Sequence, residues 1–152
     1  MKCIAVILSC CVFFTACNTF DVYEQTKAFP NHEWKSNEGL TFTFKITDTV
    51  SRYNVYLVLR HEDPYHYRNI WIDIQEKDPD TTYTIRREFT LADGTHWLGS
   101  GIDDIFEHRL LFNSDPRPFK KGNYTFTLHH VMREDPLQFM MNAGVRVEKI
   151  KP

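Results

Sequence analysis

Apolar and polar side chains alternate along most of this chain. Leu40, Phe42, Phe44 and Ile46 are separated by Thr41, Thr43, Lys45 and Thr47. Tyr53, Val55, Leu57 and Leu59 alternate with Asn54, Tyr56, Val58 and Arg60, and Ile70, Ile72 and Ile74 with Trp71, Asp73 and Gln75. A period of two is the mark of a strand with one face in a core and the other in water. The same rule puts Tyr83, Ile85 and Phe89 on one face, Tyr124, Phe126, Leu128 and Met132 on another, and starts a last strand at Val145 and Val147. Val22-Tyr23-Glu24 predicts a short first strand, with Trp34 as an anchor on the domain.

Turn chemistry falls between these runs at Asp63-Pro64, Asp78-Pro79-Asp80, Asp93-Gly94 and Lys121-Gly122-Asn123, where Pro and Gly supply backbone angles that strands do not use. One stretch departs from period two. Asp103–Leu111 carries Asp103, Asp104 and Glu107 ahead of Leu110 and Leu111, and carboxylates suit a helix N-terminus, so a turn or two of helix is expected there. The expected fold is an all-β, single-domain β-sandwich of about seven or eight antiparallel strands with at most one short helix.

The N-terminus has a different pattern. Met1-Lys2 precedes an apolar run from Cys3 to Phe14, then Thr15-Ala16-Cys17. A basic start, about 7–15 apolar residues and small residues before a cut describe a secretory signal peptide. The run falls short of the roughly 20 residues that cross a bilayer. The cysteine after Ala16 makes the site similar to a lipobox, in which a diacylglycerol is attached to the thiol before cleavage; Phe14 stands where such motifs usually carry Leu. The cysteines at 3, 10 and 11 leave with the peptide, so the mature chain keeps Cys17 alone and forms no internal disulfide. The expected organisation is a cleaved signal peptide at 1–16, a lipid-anchored segment with the first strand at 17–38, and the sandwich at 39–152.

Charge then narrows the partners. Of 18 Lys and Arg, Lys2 is lost with the leader, against 20 Asp and Glu. That balance argues against nucleic acid and against electrostatic adhesion to a membrane; acyl chains, at about 0.8 kcal/mol per buried methylene, do the anchoring. Asn18 is not the Asp that resembles an inner-membrane retention signal, which favours the outer membrane. No acidic cluster follows Cys17 directly, which favours its periplasmic face.

Candidate chemistry is sparse. His61, Asp63 and His66 lie close enough in sequence to suggest zinc, but the stretch includes Pro64 and joins two strands, so a polar strand connection is the favoured reading and no metal or other cofactor is expected. His129 and His130 point to opposite faces of a strand, and His130 reads as a hydrogen-bonded histidine at the core edge. There is no Gly-x-Ser-x-Gly and no glycine loop for phosphate, so no enzyme is expected. The glycines of Trp97-Leu98-Gly99-Ser100-Gly101 suit a bulge or tight crossing, with Trp97 packed over it. Trp71, Asp73, Arg146 and Glu148 point outward and form the candidate partner surface. Its expected occupants are envelope proteins; a glycan, stacked on Trp71 or Trp34, is the alternative. A linear groove of rings flanked by carboxylates would favour sugar, and a flat mixed patch would favour protein.

Several segments together resemble one family. Leu57-Val58-Leu59-Arg60 leads to Tyr67-Arg68-Asn69-Ile70, then Leu91, Asp93-Gly94, Trp97-Leu98-Gly99 and Gly101-Ile102-Asp103-Asp104-Ile105. Pro118, Gly122, Tyr124 and Phe126 follow, then Val131-Met132-Arg133 and Gly144-Val145-Arg146-Val147-Glu148-Lys149. This pattern is similar to the GldH-type gliding-motility lipoproteins across nearly the whole mature chain. The resemblance implies a lipoprotein of a diderm bacterium, needed for surface movement in species that glide and present in relatives that do not. It implies no enzymatic residue, and it transfers one site, the acylated cysteine, onto Cys17.

Overall fold

The computed structural model describes residues 21–150. The expected signal peptide and the expected acylation site, Cys17, lie outside the described residues. Fifteen elements follow one another. They are β1 (Val22–Ala28), a 3-10 turn (Pro30–His32), β2 (Glu33–Trp34), β3 (Leu40–Ile46), β4 (Arg52–Glu62), β5 (Asn69–Lys77), β6 (Thr82–Thr90), β7 (Ala92–Asp93), β8 (His96–Trp97), β9 (Ser100–Ile102), β10 (Ile105–Leu111), β11 (Arg117–Pro118), β12 (Gly122–His130), β13 (Leu137–Gln138) and β14 (Met140–Ile150). Eight of these strands have seven or more residues, and together they form an antiparallel sandwich.

One sheet runs β1-β14-β4-β10-β9, with β11 also pairing β4; the other runs β3-β12-β5-β6. Period two decides what lies between them. Leu40, Phe42, Phe44 and Ile46 are buried while their neighbours are exposed, and Ile70, Ile72 and Ile74 repeat the pattern on β5. Phe44 stacks on Tyr124 and Phe126 with ring centroids 5.8 and 5.7 Å apart. Tyr23 on Phe44 at 5.0 Å and Phe112 on Phe126 at 6.1 Å carry aromatic packing from one sheet to the other. Trp34 is fully buried, stacked on Phe29 at 5.0 Å, so the segment before residue 39 is part of the sandwich.

The turns follow their residues. Asp78 Oδ1 accepts from the N–H groups of Asp80 and Thr81 at 2.8 and 2.7 Å, the side-chain-to-backbone turn that Asp favours. Gly94, between β7 and β8, takes φ +60, where a Cβ would be strained. At Gly144 an added Cβ would lie 2.1 Å from the Gln25 carbonyl, so β1 can pack on β14 only because that residue is glycine.

Three sequence expectations are corrected. Asp103–Leu111 holds no helix; Ile105–Leu111 is β10, paired antiparallel to both β4 and β9. Its period-two signal is hidden because the buried residue at its centre is His108, a polar side chain. Tyr83 and Ile85 share a face with Phe89, but only Phe89 is buried, and Ile85 is 42% exposed. β6 is an edge strand, and its first half borders a small cleft shared with Phe112, Asn113 and Arg117. Met132 falls beyond the end of β12 and is half-buried, with its sulfur accepting from the Trp71 N–H at 3.2 Å.

Candidate functional surfaces

The sandwich separates the expected partner residues. Trp71 and Asp73 lie on the outer face of the four-stranded sheet, because Ile70, Ile72 and Ile74 take the inner one. Arg146 and Glu148 lie on the outer face of the other sheet, opposite in direction to the buried Val145 and Val147. The four residues therefore form two faces, one on each side of the molecule, and no single patch.

On the first face, Arg86 donates from Nε and Nη2 to the two carboxylate oxygens of Asp73 at 2.7 and 2.8 Å. Those hydrogen bonds hold the Asp73 carboxyl below the usual range. Trp71 is 38% exposed and borders a cleft of about 550 Å³ lined by Tyr67, Asn69, Arg86, Val131, Met132 and Arg133. Two arginines and no carboxylate line it, so it is a mixed patch and not a carboxylate-flanked row of rings.

On the second face charge is paired both across and along strands. Arg146 Nη1 is 2.6 Å from Glu24 and its Nε 3.4 Å from Glu148. Arg60 reaches Glu107 at 2.6 Å, and Arg109 reaches Glu107 at 3.1 Å. Exposed pairs of this kind contribute about 0–1 kcal/mol each, so the lattice sets the face's charge pattern more than its stability.

The third feature escaped sequence reading. His61, on β4, and His108, on β10, are both buried, and their Nε2 atoms are 3.0 Å apart. His61 Nδ1 is 2.8 Å from the Glu62 carbonyl and donates to it; its Nε2 then accepts from the His108 N–H. Trp97 packs edge-on against His61 at 4.4 Å, with Tyr65 at 5.1 Å. Burial pushes His61 down, and burial with the neighbouring His61 pushes His108 down to about 4. Gly99 makes the crossing over this pair possible, since a Cβ there would meet the Glu107 carbonyl at 2.5 Å and the His108 ring at 2.9 Å.

The three residues first read as a zinc candidate go to separate partners. His61 faces His108, Asp63 accepts from the Trp97 indole N–H at 2.8 Å, and His66 Nδ1 lies 3.0 Å from Glu134. Among the described residues no three His, Cys, Asp or Glu side chains are grouped to hold a metal. His130 is buried under Trp34, and burial lowers its pKa; His129, on the other face, binds the Ser36 carbonyl.

These features define a small antiparallel sandwich whose first strand begins at Val22, five residues after Cys17. Residues 21–147 match the family described as GldH lipoprotein, and the chain belongs to that family. It is 24% identical over 148 residues to the gliding motility lipoprotein GldH homolog of Christiangramia forsetii, covering 91% of this chain and 90% of that protein. It is 23% identical over 154 residues to the gliding motility lipoprotein GldH of Flavobacterium johnsoniae, with 95% and 94% covered. Among solved structures, the infectious bursal disease virus VP2 subviral particle aligns with 85% of this chain at 17% identity and a TM-score of 0.37, and the chain spans 32% of that one.

Proposed function

We propose that this protein is a lipid-anchored component of a gliding-type envelope assembly, acting as a protein-binding scaffold without turnover. Membership of the GldH lipoprotein family across the whole sandwich carries the reading. Cys17 is its attachment point, and the outer membrane, on the periplasmic side, is its place. From Cys17 to Val22 the chain can span at most about 18 Å at roughly 3.5 Å per residue. The sandwich therefore sits close to the bilayer, with the start of β1 nearest to it.

The mixed cleft at Trp71 supports a protein partner over a glycan, because two arginines, an apolar methionine and a valine accompany its rings. Loops and outer faces carry the contacts while the core holds them rigid. Co-purification from detergent-solubilised membranes tests this role. A fixed set of envelope proteins eluting in constant ratio with the chain is expected. Elution of the chain with lipid only would overturn the scaffold reading.

A further inference from the structure

We infer that the free edge of β6 is a docking site for an extended, acidic segment of a partner protein, which adds to the four-stranded sheet as a fifth strand. The inference rests on the scaffold reading and specifies its surface.

The hydrogen-bond pattern shows which backbone groups are free. The Leu91 N–H donates to the Arg68 carbonyl at 2.7 Å, and the Val131 N–H to the Trp71 carbonyl at 2.9 Å. Antiparallel pairs alternate between bonded and non-bonded residues. Carried along the β5–β6 register (Ile70 with Phe89, Ile72 with Arg87, Ile74 with Ile85), odd-numbered β6 residues bond to β5. Thr84, Arg86 and Glu88 then turn their N–H and C=O groups away from the sheet. No strand of the protein takes them among the described residues, since β6 is the last in its order. The strand is nine residues long, pairs without a bulge and contains neither Pro nor Gly. A long, regular edge of this kind is a template for another strand.

The side chains beneath the edge select the partner. Tyr83, Ile85 and Arg87 face inward where the sandwich is open, over a cleft of about 80 Å³ shared with Phe112, Asn113 and Arg117. That is room for one small side chain. Ile85 is apolar and 42% exposed there. Arg117 spends its Nη2 on both oxygens of the buried Glu76 at 2.8 and 2.7 Å, while its buried Nε has no acceptor. Arg87 has no ion-pair partner among the described residues, so the cleft carries two guanidinium groups against one carboxylate. An added strand that places an apolar residue over Ile85 and a carboxylate two positions away satisfies both. A second copy of β6 fits poorly: a two-fold axis at Arg86 sets Arg86 against its own copy, one at Arg87 sets Arg87 against its own copy, and like charges directly opposite are destabilising.

The test uses the mature acylated protein in detergent micelles, read by hydrogen–deuterium exchange. The probes are a blocked nine-residue peptide, Thr-Val-Thr-Glu-Thr-Val-Thr-Glu-Thr, whose valines and glutamates lie two positions apart on one face, and its counterpart with lysine in place of glutamate. The expected result is at least tenfold slower exchange in the β6 segment with the glutamate peptide and no change with the lysine peptide. Thr84→Pro removes one outward N–H at an edge position where proline is tolerated; it should abolish the protection while keeping the melting temperature. Arg87→Glu should weaken peptide binding at least fivefold. Absence of protection, equal protection by both peptides, or protection that appears without peptide as protein concentration rises (a second copy) would each overturn the inference. Co-purification separates this from the scaffold reading. If Thr84→Pro retains every envelope protein that the parent retains, the edge is not the site and the scaffold stands. If the parent retains none, the scaffold itself fails.

Discussion

Acidification addresses the buried His61–His108 pair directly. Both rings are neutral when one proton lies between their Nε2 atoms, and a second would place charge among Trp97, Tyr65 and Phe106. His108 titrates at about 4 in the folded protein, against 6.5 for an ordinary histidine. A depressed folded pKa on a base means the unfolded chain binds more protons below 6.5. The contribution is therefore complete above pH 6.5 and is lost as the pH falls from there towards 4. Between pH 6.5 and 5, at 1.36 kcal/mol per unit, the loss from this one group is about 2 kcal/mol. His61 and His130 shift in the same direction, so a control is needed. His108→Gln keeps an N–H to donate to His61 but does not titrate. Urea unfolding of both proteins at pH 7 and pH 5 isolates the effect: the parent should lose about 2 kcal/mol more than the variant. Equal losses would show that His108 does not enter the folded state as a buried neutral ring, and the pairing of β10 with β4 around it would be wrong.

Other consequences are simpler. Gly144→Ala should cost about 3 kcal/mol in denaturant unfolding, because its Cβ would collide with the Gln25 carbonyl at the β1–β14 contact and overpacking against backbone is not relieved by a rotamer. A variant as stable as the parent would show that β1 does not lie there. Phe126→Ala removes a ring that is 1% exposed between Phe44 and Phe112 and should cost about 3–5 kcal/mol by the same measurement. EDTA should leave the melting temperature unchanged, since His61, Asp63 and His66 each bind a different side chain; a fall of several degrees would contradict that.

The architecture was legible wherever the inward residue of a strand is apolar. Leu40 to Ile46, Tyr53 to Leu59, Ile70 to Ile74 and Tyr124 to Leu128 needed only their period of two, and the structure buries each inward position. β10 was not legible because His108 occupies its central inward position, and a buried histidine reads as polar until its partner on β4 is known. The His61–His108 pair was missed for the same reason: its members are 47 residues apart. Ile85 failed in the opposite sense, since alternation gives a face but not whether another sheet covers it. Trp71 with Asp73 and Arg146 with Glu148 were rightly read as outward, yet direction on a strand does not say which sheet the strand joins. The Glu76–Arg117 pair is likewise a product of topology, joining β5 to β11 across 41 residues.

The most direct test of the whole account is the state of Cys17. Metabolic labelling with a radioactive fatty acid, followed by membrane fractionation, compares the parent chain with Cys17→Ser. The parent should carry label and sediment with the outer membrane. The variant should carry none, and should either leave the membrane fraction or accumulate as the uncut precursor. A Cys17→Ser chain of mature length that still sediments with membranes would contradict lipid anchoring at this residue.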